Sequence, residues 1–382
     1  MHKTILDEDL IRFQDTVQSW VKKEVLPHHK DWNKVGIVPR EVYQSAGRQG
    51  LLCITQGEEF GGLGLDFRYA AVVNEELARV GAGSLPLYLH SDIVAPYIQE
   101  HGSDEQKKKY LPKMASGEFI GAIAMTEPGA GSDLQGIRTR ATRDGDNWVI
   151  DGQKTFISNG INSDFVIVVA NTAEVQDLGR KVKQSLFIVD AGAAGFERGR
   201  KLEKIGLKGQ DTAELYFNKC CVPQENLLGI EGEAFRYIMH GLGRERLSMA
   251  IYCVANAQGI LAEAVKYCKE RQAFGKSISE FQNTRFKLAE LDTEISIGEA
   301  FVDQCILQLN KGEDISVAAS KAKYWCSEML GRVADESLQL YGGYGYMQEY
   351  DISQAYIDAR VQRIFGGTTE IMKEIVARSL LK

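Results

Sequence analysis

The sequence predicts an α+β protein in three consecutive parts: helical over residues 1–118, β over 119–228 and helical again over 229–382. Three observations carry that expectation. Up to about residue 118 the apolar residues recur at three and four positions, the period of a helix. From Ile120 to about Val222 the apolar pieces become short, β-branched and separated by turns, and after Pro223 the helical period returns almost to Lys382. No long helical stretch separates the β pieces, so the sheet is expected to be antiparallel rather than built from helical crossovers.

The elements follow in order. Leu10, Ile11, Phe13, Val17, Trp20, Val21, Val25 and Leu26 mark a first helix that ends before Pro27 and that Asp7 can cap. Asp31 to Pro39 reads as a break, Val42 to Gly50 as a short helix, and Gly57 to Gly64 as a glycine-rich loop. Tyr69, Val72, Val73, Glu76, Leu77 and Val80 restore the helical pattern, and Leu87 to His101 and Asp104 to Met114 extend it. In the middle part Trp148-Val-Ile, Phe165-Val-Ile-Val-Val, Ser185-Leu-Phe-Ile-Val and Glu214-Leu-Tyr-Phe read as strands. Asp144-Gly-Asp146, Asp151-Gly152 and Asn159-Gly160 are the turn signals between them. Val175 to Gln184 reads as an exposed polar loop.

Composition narrows the class. The chain has 382 residues, 44% apolar and 25% charged, the balance of an ordinary globular protein. A net charge of −7 argues against nucleic-acid binding, which needs a local excess of Lys and Arg. No window reads as apolar enough to span a bilayer, and the acidic N-terminus resembles neither a signal nor a transit peptide. Seven cysteines without a Cys-x-x-Cys pair point to free thiols in a reducing compartment, with no metal site. The expectation is a cytoplasmic bacterial protein, or a mitochondrial matrix protein if the chain is processed.

Three glycine clusters, Gly61-Gly-Leu-Gly64, Gly129-Ala-Gly-Ser132 and Gly342-Gly-Tyr-Gly345, invite a nucleotide. None completes a Gly-x-Gly-x-x-Gly fingerprint or a P-loop, so a bound dinucleotide would need some other support. Gly243-Arg-Glu-Arg-Leu247 opens a nearly charge-free segment, Ser248 to Ala262, which reads as a helix buried in a bundle. Glu245 lies at helical spacing from Leu242, Met249 and Tyr252, which aims its carboxylate at apolar neighbours. Two readings stay open: a functional acid, or a Glu paired with Arg244 and Arg246 at a helix start.

Ala124-Met-Thr-Glu-Pro-Gly-Ala-Gly-Ser-Asp133 gathers a fixed turn, two glycines and two hydroxyls in ten residues. It resembles the signature of the acyl-CoA dehydrogenase family. The resemblance extends through Lys154-Thr-Phe-Ile-Ser-Asn-Gly160, Arg271-Gln-Ala-Phe-Gly275, Gln339-Leu-Tyr-Gly-Gly343 and Phe365-Gly-Gly-Thr-Thr-Glu370. It implies the family's fold, with a C-terminal four-helix bundle, and FAD held between the β domain and that bundle. Ile123, Met125 and Thr126 would then lie along the flavin ring, and Ser132 at the substrate entry. Phe156, where many members have Trp, would cover the ring. Ser158, where many have Thr, would donate to flavin N5 and so favour reduction. Arg271, Phe274 and Gln282 resemble the residues that reach a neighbouring subunit's FAD pyrophosphate, with Gln339, Gly342 and Gly343 beside them. Thr368 and Glu370 fall on the flavin-contacting pair near the C-terminus. Shared sites imply a homo-oligomer, usually a tetramer in this family.

The reaction the resemblance implies is α,β-dehydrogenation of an acyl-CoA thioester, in which a base takes the α-proton and flavin takes the β-hydrogen. Here the sequence departs from the common pattern. Many members carry the base in Tyr-Glu-Gly-Thr, and the matching position is Gly366. The long-chain and isovaleryl branches place it instead on the central helix in Glu-Arg-Leu, which Glu245-Arg246-Leu247 matches; the Gly-Gly-Thr form is most similar to the long-chain branch. Gly366 and Gly367 would still meet the thioester carbonyl, and Arg246 would orient groups near it. An electron-transferring flavoprotein is the implied acceptor. An oxygen-using oxidase and a non-catalytic acyl-CoA-binding relative are the alternatives, and chain length and branching stay open.

Overall fold

In the computed structural model, residues 5–172 and 183–381 are described. Among the described residues, six α-helices form the first part: α1 Glu8–Trp20, α2 His29–Val35, α3 Arg40–Arg48, α4 Phe67–Arg79, α5 Ala95–His101 and α6 Asp104–Ala115. Asp7 caps α1 through Oδ1, which accepts from Leu10 N–H at 2.9 Å. The expected break at Asp31 to Pro39 is largely helical, because α2 buries Trp32 and stops only at Gly36 in a left-handed conformation. π-helical turns at Val21–Val25 and Leu89–Val94 extend α1 and precede α5. Such turns are frequent at functional sites.

Among the described residues, eight strands make the middle part: β1 Gly121–Ala124, β2 Arg140–Asp144, β3 Asn147–Ser158, β4 Phe165–Asn171, β5 Gln184–Asp190, β6 Phe196–Lys201, β7 Thr212–Pro223 and β8 Leu227–Leu228. Their order is β6-β7-β3-β2-β4-β5-β8, with β1 also pairing with β4. The sheet is largely antiparallel, as expected, but β1 and β2 both run parallel to β4. The β2–β3 hairpin serves as the crossover from β1 to β4, a connection that needs no helix. Residues 173–182 lie outside the described residues, so most of the loop expected at Val175 to Gln184 goes untested. Gln184 itself is buried and opens β5, with Nε2 donating to the Leu134 carbonyl at 2.6 Å.

β4 and β5 are buried on both faces, and the two-residue alternation of a strand divides them between two cores. Phe165, Ile167, Val169, Leu186 and Ile188 enter the core of the N-terminal helices. Val166, Val168, Ala170, Phe187 and Val189 enter the core of the β domain. His90 ties the same parts together. Its Nδ1 accepts from Gly121 N–H at 3.2 Å, leaving the proton on Nε2 to reach the Met114 carbonyl at 3.0 Å.

The last part is α7 Ala234–Glu270, the β9–β10 hairpin (Gln272–Ala273 and Lys276–Ser277), α8 Gln282–Asn310, α9 Ser316–Tyr341, α10 Asp351–Ala359 and α11 Thr369–Leu380. α7 packs against α4, α8 and α9, and α11 packs on α9. Contrary to the expectation from sequence, α7 is long and apolar enough to cross a membrane by composition. However, 72% of that window is buried inside the protein, because a helix at the centre of a bundle must be apolar on every side. α4 and α7 approach closely at Gly259, where a Cβ would lie 2.0 Å from the Arg79 carbonyl oxygen. Asn74 and Asn256 bridge the same helices, donating to the carbonyls of Ser248 and Ala78 at 2.7 and 2.9 Å. All seven cysteines are free.

Candidate active site

Glu245 is 6% exposed, on α7 just before its apolar run from Ser248. The Tyr97 hydroxyl of α5 donates to its Oε1 at 3.0 Å. Neither flanking arginine forms an ion pair with it. Arg244 turns to Glu100 at 3.0 Å, and Arg246 donates from Nη1 to the Ser320 hydroxyl at 3.3 Å. The helix-start pairing is therefore not the arrangement found. Burial raises the Glu245 carboxyl to about 7, although the Tyr97 hydrogen bond and the charges of Arg246 and Arg244 pull it down. The sequence left that balance open; desolvation wins. A cavity of about 160 Å³ adjoins the carboxylate, walled by Asp92, Ile93, Pro96 and Tyr97 on one side and by Gly241 and Arg244 on the other.

Arg246 is 6% exposed, and its Nε is buried without a hydrogen-bond partner. Burial lowers the affinity of its guanidinium for a proton, and Glu245 opposes that. An arginine held this way is a donor set waiting for an acceptor.

Gly366 and Gly367 have φ of +61° and +97°, in the left-handed region. A Cβ at Gly366 would lie 2.2 Å from Sδ and Cε of Met249, one turn beyond Glu245 on α7. Positions 366 and 245 thus face the same stretch of that helix. Lys323 of α9, fully buried, donates from Nζ to the Gly367 carbonyl at 2.5 Å and anchors this loop. The sequence reading missed Lys323 and the Tyr97–Glu245 bond; a lysine and a tyrosine amid apolar helical runs were the available signals.

The expected flavin contacts of the β domain assemble around a bulge in β3. The β3–β7 register slips between Lys154 and Ile157, where Phe156 takes a φ of 60° and stands 67% exposed. Ser158, at the end of β3, is half-buried. Thr126 pairs with this strand through its carbonyl, which accepts from Thr155 N–H at 2.9 Å. Ile123 and Met125 pack beneath, while Ser132 is exposed. Beneath this loop lies a pair that the sequence reading passed over. Lys154 Nζ, fully buried, donates to Glu127 Oε1 at 2.8 Å and to the Met125 carbonyl at 3.0 Å. Glu127 also accepts from the N–H groups of Arg138 and Thr139 at 2.7 and 2.9 Å. Burial lowers Lys154 to about 8. Burial also pushes Glu127 up, but Lys154 and the two N–H donors outweigh it and hold the carboxyl below its ordinary value. The clip fixes the loop by satisfying a charge that would otherwise be costly to bury.

Arg271, Gln339, Gly342 and Gly343 come together around a second cavity of about 490 Å³. Nothing lies within 4 Å of a Cβ built at Gly342 or Gly343. Among the described residues no carboxylate pairs with Arg271, whose guanidinium lies over the Tyr344 ring at 5.5 Å. Phe274, 95% exposed, projects from the β9–β10 hairpin, and Gln282 is exposed at the start of α8. Thr368 caps α11, and Glu370 is exposed in its first turn. None of the β-domain residues lines the cavity at Arg271.

Helical domains flanking a β domain, with a buried acid on the central helix, define an acyl-CoA dehydrogenase. The chain belongs to that family, whose oxidoreductases act on acyl-CoA: the N-terminal, middle and C-terminal domain descriptions match residues 7–118, 122–220 and 232–381. It is 50% identical over 371 residues to the mitochondrial long-chain specific acyl-CoA dehydrogenase of Sus scrofa, covering 97% of this chain and 86% of the relative. It is 34% identical to the mitochondrial isovaleryl-CoA dehydrogenase of Oryza sativa, covering 99% and 92%. The crystal structure of an acyl-CoA dehydrogenase from Geobacillus kaustophilus superposes with a TM-score of 0.96 at 48% identity, covering 99% of each chain.

Proposed function

We propose that this protein converts long-chain or branched acyl-CoA thioesters to trans-2-enoyl-CoA, with Glu245 as the base that removes the α-proton. One observation carries the reading. Glu245 is a buried carboxyl raised to about 7, held by the Tyr97 hydroxyl, open to a cavity and facing the glycine loop at 366. A carboxylate at its ordinary 4.5 is a weak base for so weakly acidic a C–H. Removing it from water brings it to the pH at which it works.

The other residues take roles that fit their surroundings. Arg246 orients polar groups near the thioester through the donor it leaves unused. Backbone N–H at Gly366 and Gly367 polarises the thioester carbonyl, on a loop that Lys323 holds in place. Ser132, at the exposed tip of its loop, meets the incoming thioester. FAD, when bound, supplies the acceptor for the β-hydrogen. The residues present suit that cofactor: Arg271 without a carboxylate partner, beside Gln339 and the open glycines 342 and 343, offers a fork for a pyrophosphate. Thr126, Phe156 and Ser158, over Ile123 and Met125, offer an apolar cover and hydroxyls to a flavin ring. Thr368 and Glu370 would hold its far edge.

Arg271, Phe274 and Gln282 reach outward, toward a second copy of the chain. Phe286 and Ile297, exposed and eleven residues apart on one stripe of α8, favour a homo-oligomer, which we take to be a tetramer. An electron-transferring flavoprotein is the expected acceptor.

Anaerobic addition of acyl-CoAs of several lengths tests the reading. One or more is expected to bleach the flavin, and Glu245→Gln is expected to slow bleaching by orders of magnitude while flavin stays bound. Near wild-type bleaching in Glu245→Gln would reassign the base. Failure of every thioester would remove the dehydrogenase reading.

A further inference from the structure

The cavity beside Glu245 holds a second buried acid with no part in the chemistry above. Asp92 lies in the π-helical turn Leu89–Val94 and is 5% exposed. It lines the cavity at Glu245 and also a small neighbouring void bounded by Leu51, Ile54, Val73 and Leu87. Among the described residues Asp92 has no hydrogen bond or ion pair. The other buried acids that burial raises each have a partner. Tyr97 serves Glu245, the Ile161 N–H serves Asp211, and the Leu207 N–H serves Asp358. Arg244 is near enough to act on Asp92 through space, yet its own hydrogen bond goes to Glu100.

Asp92 thus lines the cavity without a protein donor of its own, free to be met by a group on a bound molecule. Its position points to a ligand. Asp92 and Tyr97 stand five residues apart on a continuous run of helix, roughly 7 Å of rise. Tyr97 marks the end of the cavity where Glu245 would meet the α-carbon, and Asp92 marks a point farther along the acyl chain. The small void beyond Asp92 is walled mostly by apolar side chains, as a hydrocarbon requires, whereas the rest of the cavity also carries Glu100, His240, Arg244, Glu313 and Asp314.

We infer that Asp92 is a specificity-determining subsite for a hydroxyl group carried on the acyl chain, several carbons beyond the thioester. The inference rests on the reading of this cavity as the acyl site. Burial raises Asp92 to about 7, so near neutral pH a large share is protonated. A protonated carboxyl both donates and accepts, which is what a hydroxyl offers in return. An ammonium group would need a fully ionised partner, and a second carboxylate on the chain would bring another negative charge beside Glu245.

The test is equilibrium binding to the flavin-loaded enzyme carrying Glu245→Gln, which prevents turnover during titration. Long-chain acyl-CoA is compared with counterparts hydroxylated at successive carbons beyond the β-carbon. One hydroxyl position is expected to bind about tenfold tighter than the plain chain, the worth of a hydrogen bond to a buried group. Adding Asp92→Leu is expected to abolish that preference and to tighten binding of the plain chain. The inference is overturned if no hydroxyl position is preferred, or if the preference survives Asp92→Leu. Should that variant fail to fold, Asp92→Ala and the positional scan decide on the same terms. Flavin bleaching of the native enzyme is a separate readout, so failure of the dehydrogenase reading is distinguishable from failure of the subsite.

Discussion

Among the described residues, Tyr97→Phe isolates the one side-chain hydrogen bond that Glu245 receives. The substitution removes one oxygen and keeps the ring packed on α5. The hydrogen bond favours the ionised carboxylate, so its loss must raise the pKa of Glu245. A hydrogen bond to a charged group contributes about 1.5 kcal/mol or more, and one pKa unit corresponds to about 1.4 kcal/mol. The shift is therefore about one unit, from about 7 toward about 8. The base works deprotonated, so the rate rises with pH up to the pKa and then levels. The profile of kcat/KM against pH reports the free enzyme. Its acid limb is expected to move up by about one unit, a tenfold loss at about pH 6 with little change at about pH 9. An acid limb that stays in place, or moves down, would show that Tyr97 does not set the proton affinity of the base. The reasoning about Glu245 would fail with it.

Two further outcomes follow from the same geometry. Glu245 costs stability where the folded protein must hold it ionised, so the cost is absent below about 4.5 and grows as pH rises through about 7. Glu245→Gln is therefore expected to match wild type in denaturant midpoint near pH 4 to 5, and to exceed it at pH 8 by up to about 3 kcal/mol; a difference independent of pH would refute the assignment. Moving the base with Glu245→Gln and Gly366→Glu is expected to restore flavin reduction only in part, with a change in preferred chain length. The new Cβ meets Met249 at 2.2 Å and the backbone there has φ +61°, a conformation that costs a side chain about 1–2 kcal/mol. Adding Met249→Ala is expected to improve the rescue, and equal rates with and without it would show that Met249 is no obstacle.

The sequence carried the domain order because the change of period at Ile120 and its return after Pro223 are local signals. It singled out Glu245 as a candidate because the resemblance calls for a base, Gly366 cannot hold a proton, and Glu245-Arg246-Leu247 offers an acid on α7 that the structure buries beside a cavity. The proton affinity of that acid could not be read, since it depends on Tyr97, 148 residues away, and on Arg244 turning to Glu100. The same limit hid the Lys154–Glu127 clip and the grip of Lys323 on Gly367, which join residues distant along the chain. The parallel pairs of β1 and β2 with β4 were missed because a hairpin can act as a crossover without leaving a helical period. Glu245 and the arginines beside it break the apolar run of α7 in sequence, yet the helix as a whole is apolar because it is buried at the centre of the bundle.

The strands β4 and β5 give the three-part sequence a property that its boundaries conceal. Each strand presents alternate residues to two different cores, so one wall serves both the β domain and the N-terminal helices. Cutting the chain near residue 119 would strip one face of that wall and leave Phe165, Ile167, Val169, Leu186 and Ile188 in water. At about 1.5–3 kcal/mol for each such side chain, the exposed strip rivals the whole stability of an ordinary domain. The first two parts, which read as modules in sequence, share this wall and are expected to fold together. Recombination with a relative would succeed only if the strands and the helices that lean on them were exchanged together.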